Sequence, residues 1–111
     1  MSDQALVVLV TAPMMDEAAH LGRTLVEERL AACANLLPDI RSIYRWQGAI
    51  HEESEVLLML KTTTPMFDQL RARILVLHSY ETPEVLALTV ADGAAGYLQW
   101  LAAQIGPEEA L

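Results

Sequence analysis

The stretch from Ala32 to Thr62 constrains the fold more than any other part of this chain. Beyond Pro38 the side chains alternate. Ile40, Ser42, Tyr44 and Trp46 fall on one side of an extended backbone, and Arg41, Ile43 and Arg45 on the other. Gln47-Gly48 supplies a tight turn. From Ile50 the chain returns through an acidic start (Glu52, Glu53, Glu55) to a dry end, Val56 to Leu60. The two runs pair as one long hairpin. Pro38 has no N–H to give a ladder, so that part of the first strand is an edge or a bulge. A hairpin of this length overhangs a small domain, and its outer part needs something to lie against.

The flanking segments fall into place around it. Leu6 to Val10 is a β-branched-rich run ending at Thr11-Ala12-Pro13, which predicts a strand buried on both faces. Asp16 or a near neighbour caps a helix whose apolar stripe is Ala18, Leu21, Leu25 and Val26. Thr64-Pro65 opens a second helix, with Thr as N-cap and Pro at the first turn. Phe67, Leu70, Ile74 and Leu77 share its inner face. His78 to Pro83 is a polar loop, and Val85 to Val90 is the last main strand. Ala94, Tyr97, Leu98, Leu101 and Ile105 line a final helix closed by Gly106-Pro107. Gly93-x-x-Gly96 lacks a following lysine and serves the entry to that helix.

The order β-α-β-β-α-β-α is that of a ferredoxin-like βαββαβ sandwich with a long second hairpin and an extra C-terminal helix. It predicts an α+β domain over residues 1–111, with a four-stranded antiparallel sheet and helices on one face. The open face of such a sheet must be covered. Apolar residues make up 53% of the 111 residues, more than so small an interior can hold, so part of them belongs in a subunit interface.

Seven basic against fifteen acidic residues give a net charge of −8, a field that repels phosphate backbones and disfavours nucleic acid. Cys33 is the single cysteine, which suits a reducing cytoplasm. No basic residue precedes Arg23, and Ala5 to Val10 is too short for a signal core or a membrane span.

Familiar catalytic motifs are missing from the sequence: there is no G-x-S-x-G elbow, no P-loop and no G-x-G-x-x-G. This favours a binding protein over an enzyme. Lys61 is the only lysine and follows the dry run of the hairpin; it is either a partner for an anionic group or a lysine snorkelling at a strand end. His78 opens the polar loop with Tyr80, Glu81 and Glu84 close by. Imidazole and carboxylate together suit a borderline divalent metal such as Cu or Zn, and the plainer reading is a histidine at a helix end. Cys33, between alanines, reads as a small buried thiol. Trp46, near the hairpin tip, is exposed in a monomer and points to a partner subunit or a ligand.

Five stretches in this order resemble the CutA family of divalent-cation tolerance proteins. They are Leu30 to Asn35, Ile43-Tyr44-Arg45-Trp46-Gln47-Gly48, Leu60-Lys61-Thr62, His78 to Glu84, and Tyr97 to Leu101. The resemblance implies a tight homotrimer built like the PII signalling proteins, a cytoplasmic location in bacteria, and a link to copper and other divalent metals. The chain departs from the family pattern in two ways. Ser79 stands where the family usually has Pro. Val10 and Leu77 stand where some members offer a Cys and a second His as metal ligands, so that only His78 remains of that set.

The expected site is therefore a cleft near a subunit boundary. Tyr44, Trp46, Tyr80 and Trp100 form its walls, Lys61 meets an anionic group, and His78 with Glu81 holds a divalent metal or a polar ligand. The alternatives are a PII-like sensor of a small anionic metabolite or nucleotide, and a scaffold that displays a surface to another protein.

Overall fold

A computed structural model describes residues 3–107. Strand β1 (Ala5–Ala12) leads to helix α1 (Met15–Glu27), strands β2 (Cys33–Trp46) and β3 (Ala49–Thr63), helix α2 (Phe67–Leu77), strand β4 (Val85–Thr89) and helix α3 (Ala95–Ala103). The sheet order is β2-β3-β1-β4, and every neighbouring pair is antiparallel. This is the ferredoxin-like arrangement expected from the order of elements.

Burial alternates along β1, and it differs from the expected strand buried on both faces. Leu6, Val8, Val10 and Ala12 pack with Val56, Leu58 and Leu60 of β3 beneath α1 and α2. Ala18, Leu21 and Leu25 of α1 and Leu70 and Ile74 of α2 complete this core, while Val26 lies at its exposed margin. Gly22 allows the close approach of α1 to β2, since a Cβ there would stand 3.0 Å from Ala34 Cβ. The opposite face carries Val7 and Leu9 of β1, Leu57 and Met59 of β3, Leu37 of β2, and Leu86 and Leu88 of β4. Leu86 and Leu88 are about half exposed.

Helix α3 does not join the other two helices, as a sheet with all its helices on one face would require. Leu101 packs with Ala5 and Ala32, and Ala5 alternates with the core-facing Leu6, so α3 covers one end of the otherwise open face. Its end is tied to α1. Arg29 adopts φ 61° just after α1, where Leu30 N–H donates to Leu25 O and Arg29 N–H to Val26 O, both at 3.0 Å. This is a Schellman motif with arginine in the place glycine usually takes. The arginine side chain then donates to the carbonyls of Gly106 (2.5 Å) and Ala103 (3.0 Å), and Gly106 N–H returns a bond to Arg29 O.

The helix starts also differ from the sequence reading. Met14 rather than Asp16 is the N-cap of α1; Asp16 and Glu17 lie in its first turn, where they complement the helix dipole. A 3₁₀ turn, Thr64–Met66, with Pro65 at its start, precedes α2, and the Thr64 hydroxyl donates to Gln4 O instead of capping.

The hairpin is as long as expected. Trp46 pairs with Ala49 across Gln47 and Gly48, both at positive φ, the form of a two-residue hairpin turn. The radius of gyration, 14.9 Å, exceeds the roughly 13 Å of a compact chain this long, because the hairpin stretches the molecule to 51 Å. Pro38 sits at a bulge. Leu37 faces Leu57 and Ile40 faces Glu55, so β2 spends one extra residue there, with Asp39 at φ 58°. The extra residue exchanges the faces of β2: Cys33, Asn35 and Leu37 share the open face with Ile40, Ser42 and Tyr44.

Candidate functional site

That exchange of faces builds the site. It sets Ser42 opposite Glu53 and Tyr44 opposite His51, on the face that also carries Glu55. The loop after α2 rises beside them. Together they enclose a pocket of about 670 Å³ whose lining includes Tyr44, Trp46, Tyr80, Glu53, Glu55, Glu81 and Glu84, with Thr11 and Ser42. Among the described residues that line it there is no lysine, arginine or histidine.

The carboxylates and tyrosines of the pocket shape one another. Tyr80 O–H donates to Glu55 Oε2 at 2.7 Å. Burial, and then this bond to an anion, push the Tyr80 phenol well above its ordinary value near 10. The Tyr44 phenol is raised too, by desolvation first and then by Glu53. Burial and the neighbouring Glu55 charge raise the Glu84 carboxyl above its ordinary 4.5. These groups crowd negative charge into one concavity.

His78 lies behind this wall with its side chain wholly buried. Nε2 is 2.7 Å from Thr11 O and so donates to it; Nδ1 accepts from Tyr80 N–H at 3.0 Å. Both nitrogens are engaged, and the ring has no free lone pair to offer a metal. Its role in this geometry is to fix the loop against β1. Ser79 helps: its N–H and hydroxyl both donate to Glu17 Oε2, at 3.0 and 2.9 Å. Proline could make neither bond. Burial alone would raise the Glu17 carboxyl, but the two Ser79 bonds bring it below its ordinary value.

The expected site residues thus divide. Tyr44, Trp46, Tyr80 and Glu81 come together in the pocket, and His78 supports it from behind. Lys61 and Trp100 stand elsewhere, toward the α3 end of the open face. Lys61 donates to Asn35 Oδ1 and pairs across strands with Cys33. The Cys33 thiol is only half-buried and lies 3.7 Å from the Tyr97 hydroxyl, and Trp100 packs against Tyr97 with ring centroids 5.5 Å apart. Sequence reasoning missed Glu53 and Glu55 as pocket residues. Their signal was present in the odd numbering they share with Lys61 along one strand, which puts all three on one face.

Among the described residues, no three of His, Cys, Asp and Glu converge to hold a metal ion. The described side chains of a single chain therefore do not fit a resident metal centre of fixed imidazole, thiolate or carboxylate ligands. They offer carboxylate oxygens in a roomy pocket. Among the described residues no helix is long and apolar enough to cross a membrane.

Comparison with known proteins agrees with the fold. The model of the CutA1 divalent ion tolerance protein family matches residues 6–104. A divalent-cation tolerance protein CutA of Thermus thermophilus is 49% identical over 100 residues, which cover 90% of this chain and 97% of that one. The human protein CutA is 48% identical over 92 residues; the match covers 83% of this chain and 51% of the human protein, so this chain spans about half its length. A solved structure of the divalent cation tolerance protein from Thermus thermophilus superposes with a TM-score of 0.90 at 48% identity, covering 92% of this chain and 99% of that one. By sequence and by fold, the chain belongs to the CutA1 divalent ion tolerance family.

Proposed function

We propose that this chain is the subunit of a cytoplasmic homotrimer that contributes to divalent-cation tolerance by binding cations weakly in the glutamate-lined pocket, without catalysis. The observation that carries the reading is the pocket's charge. Glu53, Glu55, Glu81 and Glu84 line it, and its described lining holds no basic side chain. A cation entering there offsets the Glu55 charge, which adds to burial in raising the Glu84 carboxyl. Tyr44, Trp46 and Tyr80 give walls that also tolerate a polar organic group. Glu81 keeps the ligand role expected for it, and His78 holds the loop that carries Glu81.

The bare sheet face supports self-association. Leu37, Leu86 and Leu88 are exposed there, and burying each stabilises an assembly by about 1.5–3 kcal/mol at most. The resemblance of the chain to a trimeric family supports three copies. The lone cysteine supports a reducing compartment.

Sensing of an anionic metabolite in this pocket is disfavoured, because phosphate would meet carboxylates with no cation beside them. Calorimetric titration of Cu²⁺, Zn²⁺ and Mn²⁺ tests the proposal. An oxygen-donor site left open to water binds with a Kd of roughly micromolar or weaker, in the order Cu²⁺, Zn²⁺, Mn²⁺. The double variant Glu81→Gln/Glu84→Gln loses this binding. If a folded His78→Asn protein loses binding while the glutamine variant keeps it, the site is wrongly placed. If neither variant matters, cations do not bind in this pocket.

A further inference from the structure

The segment between β4 and α3 takes no part in the glutamate-lined pocket. Its Asp92-Gly93 step is the sole place in the sequence where an aspartate or asparagine precedes glycine. Gly93 N–H donates to Asp92 Oδ1 at 2.8 Å. Donor and acceptor belong to adjacent residues, so the bond folds the carboxyl back over the peptide link that follows it. Cγ, the atom bonded to Oδ1, is thereby held beside the Gly93 nitrogen. The nitrogen, the Asp92 carbonyl carbon, Cα, Cβ and Cγ are the five atoms of a succinimide ring.

Two further features favour closure of that ring. Both residues are exposed, so water and base reach the nitrogen. Glycine places no Cβ beside it, and α3 helps to keep glycine there, since a Cβ at Gly93 would come within 3.3 Å of Leu98 Cδ2. Packing thus favours the residue that leaves the preceding aspartate chemically labile. An intramolecular nucleophile held close to its target reacts as though at very high concentration, on the order of 10⁵ M or more in well-oriented cases.

We infer that Asp92-Gly93 is a site of spontaneous isoaspartate formation, and hence a substrate site for a protein carboxyl methyltransferase that recognises isoaspartyl residues. The Gly93 nitrogen gives up its proton to solvent and attacks Cγ of the protonated carboxyl. The N–Cγ bond forms, the Cγ–OH bond breaks, and one water leaves. Water then adds to the ring. Cleavage between nitrogen and Cγ restores aspartate; cleavage between nitrogen and the α-carbonyl carbon gives isoaspartate of unchanged mass. The product carries the backbone through one extra carbon, two residues before the Ala94 N-cap of α3. Val90 N–H remains bonded to Ala5 O on the sheet side, so the displacement falls on the entry to α3.

The test ages the folded full-length chain for weeks at neutral pH. Isoaspartate is read by methyl transfer from labelled S-adenosylmethionine to its free α-carboxylate, and located by electron-transfer fragmentation of the peptide. A growing isoaspartyl fraction at residue 92 is expected, with a minor species lighter by one water. Asp92→Glu, which would need a six-membered ring, loses the methyl acceptance. Asp92→Asn reacts faster, releases ammonia and gains the mass difference between an amide and an acid. A second aged sample, unfolded in urea, isolates the contribution of the fold, and the folded chain should react at least as fast. Aged protein with no isoaspartate at residue 92, equal methyl acceptance in Asp92→Glu, or slower reaction in the folded chain would each overturn the inference.

Discussion

Tyr80 and Glu55 meet across the pocket through a hydrogen bond of 2.7 Å, the phenol donating to a carboxylate that is only 7% exposed. Removing the hydroxyl leaves a buried anion without this donor. Tyr80→Phe should therefore destabilise the fold by about 1.5–3 kcal/mol, measured by urea denaturation. The bond also has a signature in base. The folded protein holds the Tyr80 proton above the ordinary value near 10, so its contribution to stability is present at neutral pH and falls as pH rises beyond that value. In a spectral titration the Tyr80 phenol should ionise late, and Glu55→Gln should shorten the delay while leaving the part that burial causes.

Glu84 behaves in the opposite sense to a salt-bridged carboxylate. Burial and Glu55 raise its pKa, so the folded state binds its proton more tightly than the unfolded state. Stability associated with this group is highest in acid and declines as pH rises through the range above 4.5. Glu84→Gln should raise the melting temperature at neutral pH and leave it nearly unchanged below the ordinary carboxylate range. Equal effects at both pH values would show that the buried charge of Glu84 is not the cause.

His78 should prove structural. Its ring bonds to Thr11 O and Tyr80 N–H are buried, and His78→Ala removes both and leaves a cavity. We expect a loss of about 2–4 kcal/mol in chemical denaturation. His78→Asn, which keeps a donor and an acceptor, should recover part of it. Copper titration of the folded asparagine variant should match wild type.

The bare sheet face should govern assembly. Light scattering of the wild-type chain is expected to give three times the 12.2 kDa subunit mass at micromolar concentration. Leu88→Glu places a charge on that face, on the edge strand β4 opposite Val7, and should shift the mass toward one subunit. Trimer mass in the variant would put the interface elsewhere.

The long hairpin, its turn and the order of elements were legible because each rests on local chemistry: period-two alternation and a turn dipeptide. Pro38, without an N–H, marked an edge or a bulge, and the pairing shows a bulge on the edge strand β2. The face that α3 covers was not legible. Leu101 and Tyr97 mark an apolar side, but which side of the sheet meets it depends on Ala5 and Ala32, residues with no distinctive pattern. The pocket was half legible. Tyr44, Trp46, Tyr80 and Glu81 were singled out by residue type and they converge. Glu53 and Glu55 share a face with Tyr44 because the bulge shifts the pairing register by one residue, which residue type does not reveal. His78 drew notice as a potential ligand because a sequence gives a residue's type and not the state of its lone pairs.

The Arg29 clasp carries a consequence for how the molecule opens. Among the described residues, Gly106 N–H to Arg29 O is the backbone bond that ties the α3 segment to the helices and sheet, and the two residues are 77 apart in sequence. Closing so long a loop is entropically costly and yields little until the sheet exists, so the clasp forms late in folding and releases early. Amide hydrogens of α3 should then exchange with solvent by a local excursion, well before those of β1 and β3. Such an excursion uncovers Ala5, Ala32 and the Cys33 thiol while the four-stranded sheet stays intact, making α3 a hinged cover over one end of the sheet.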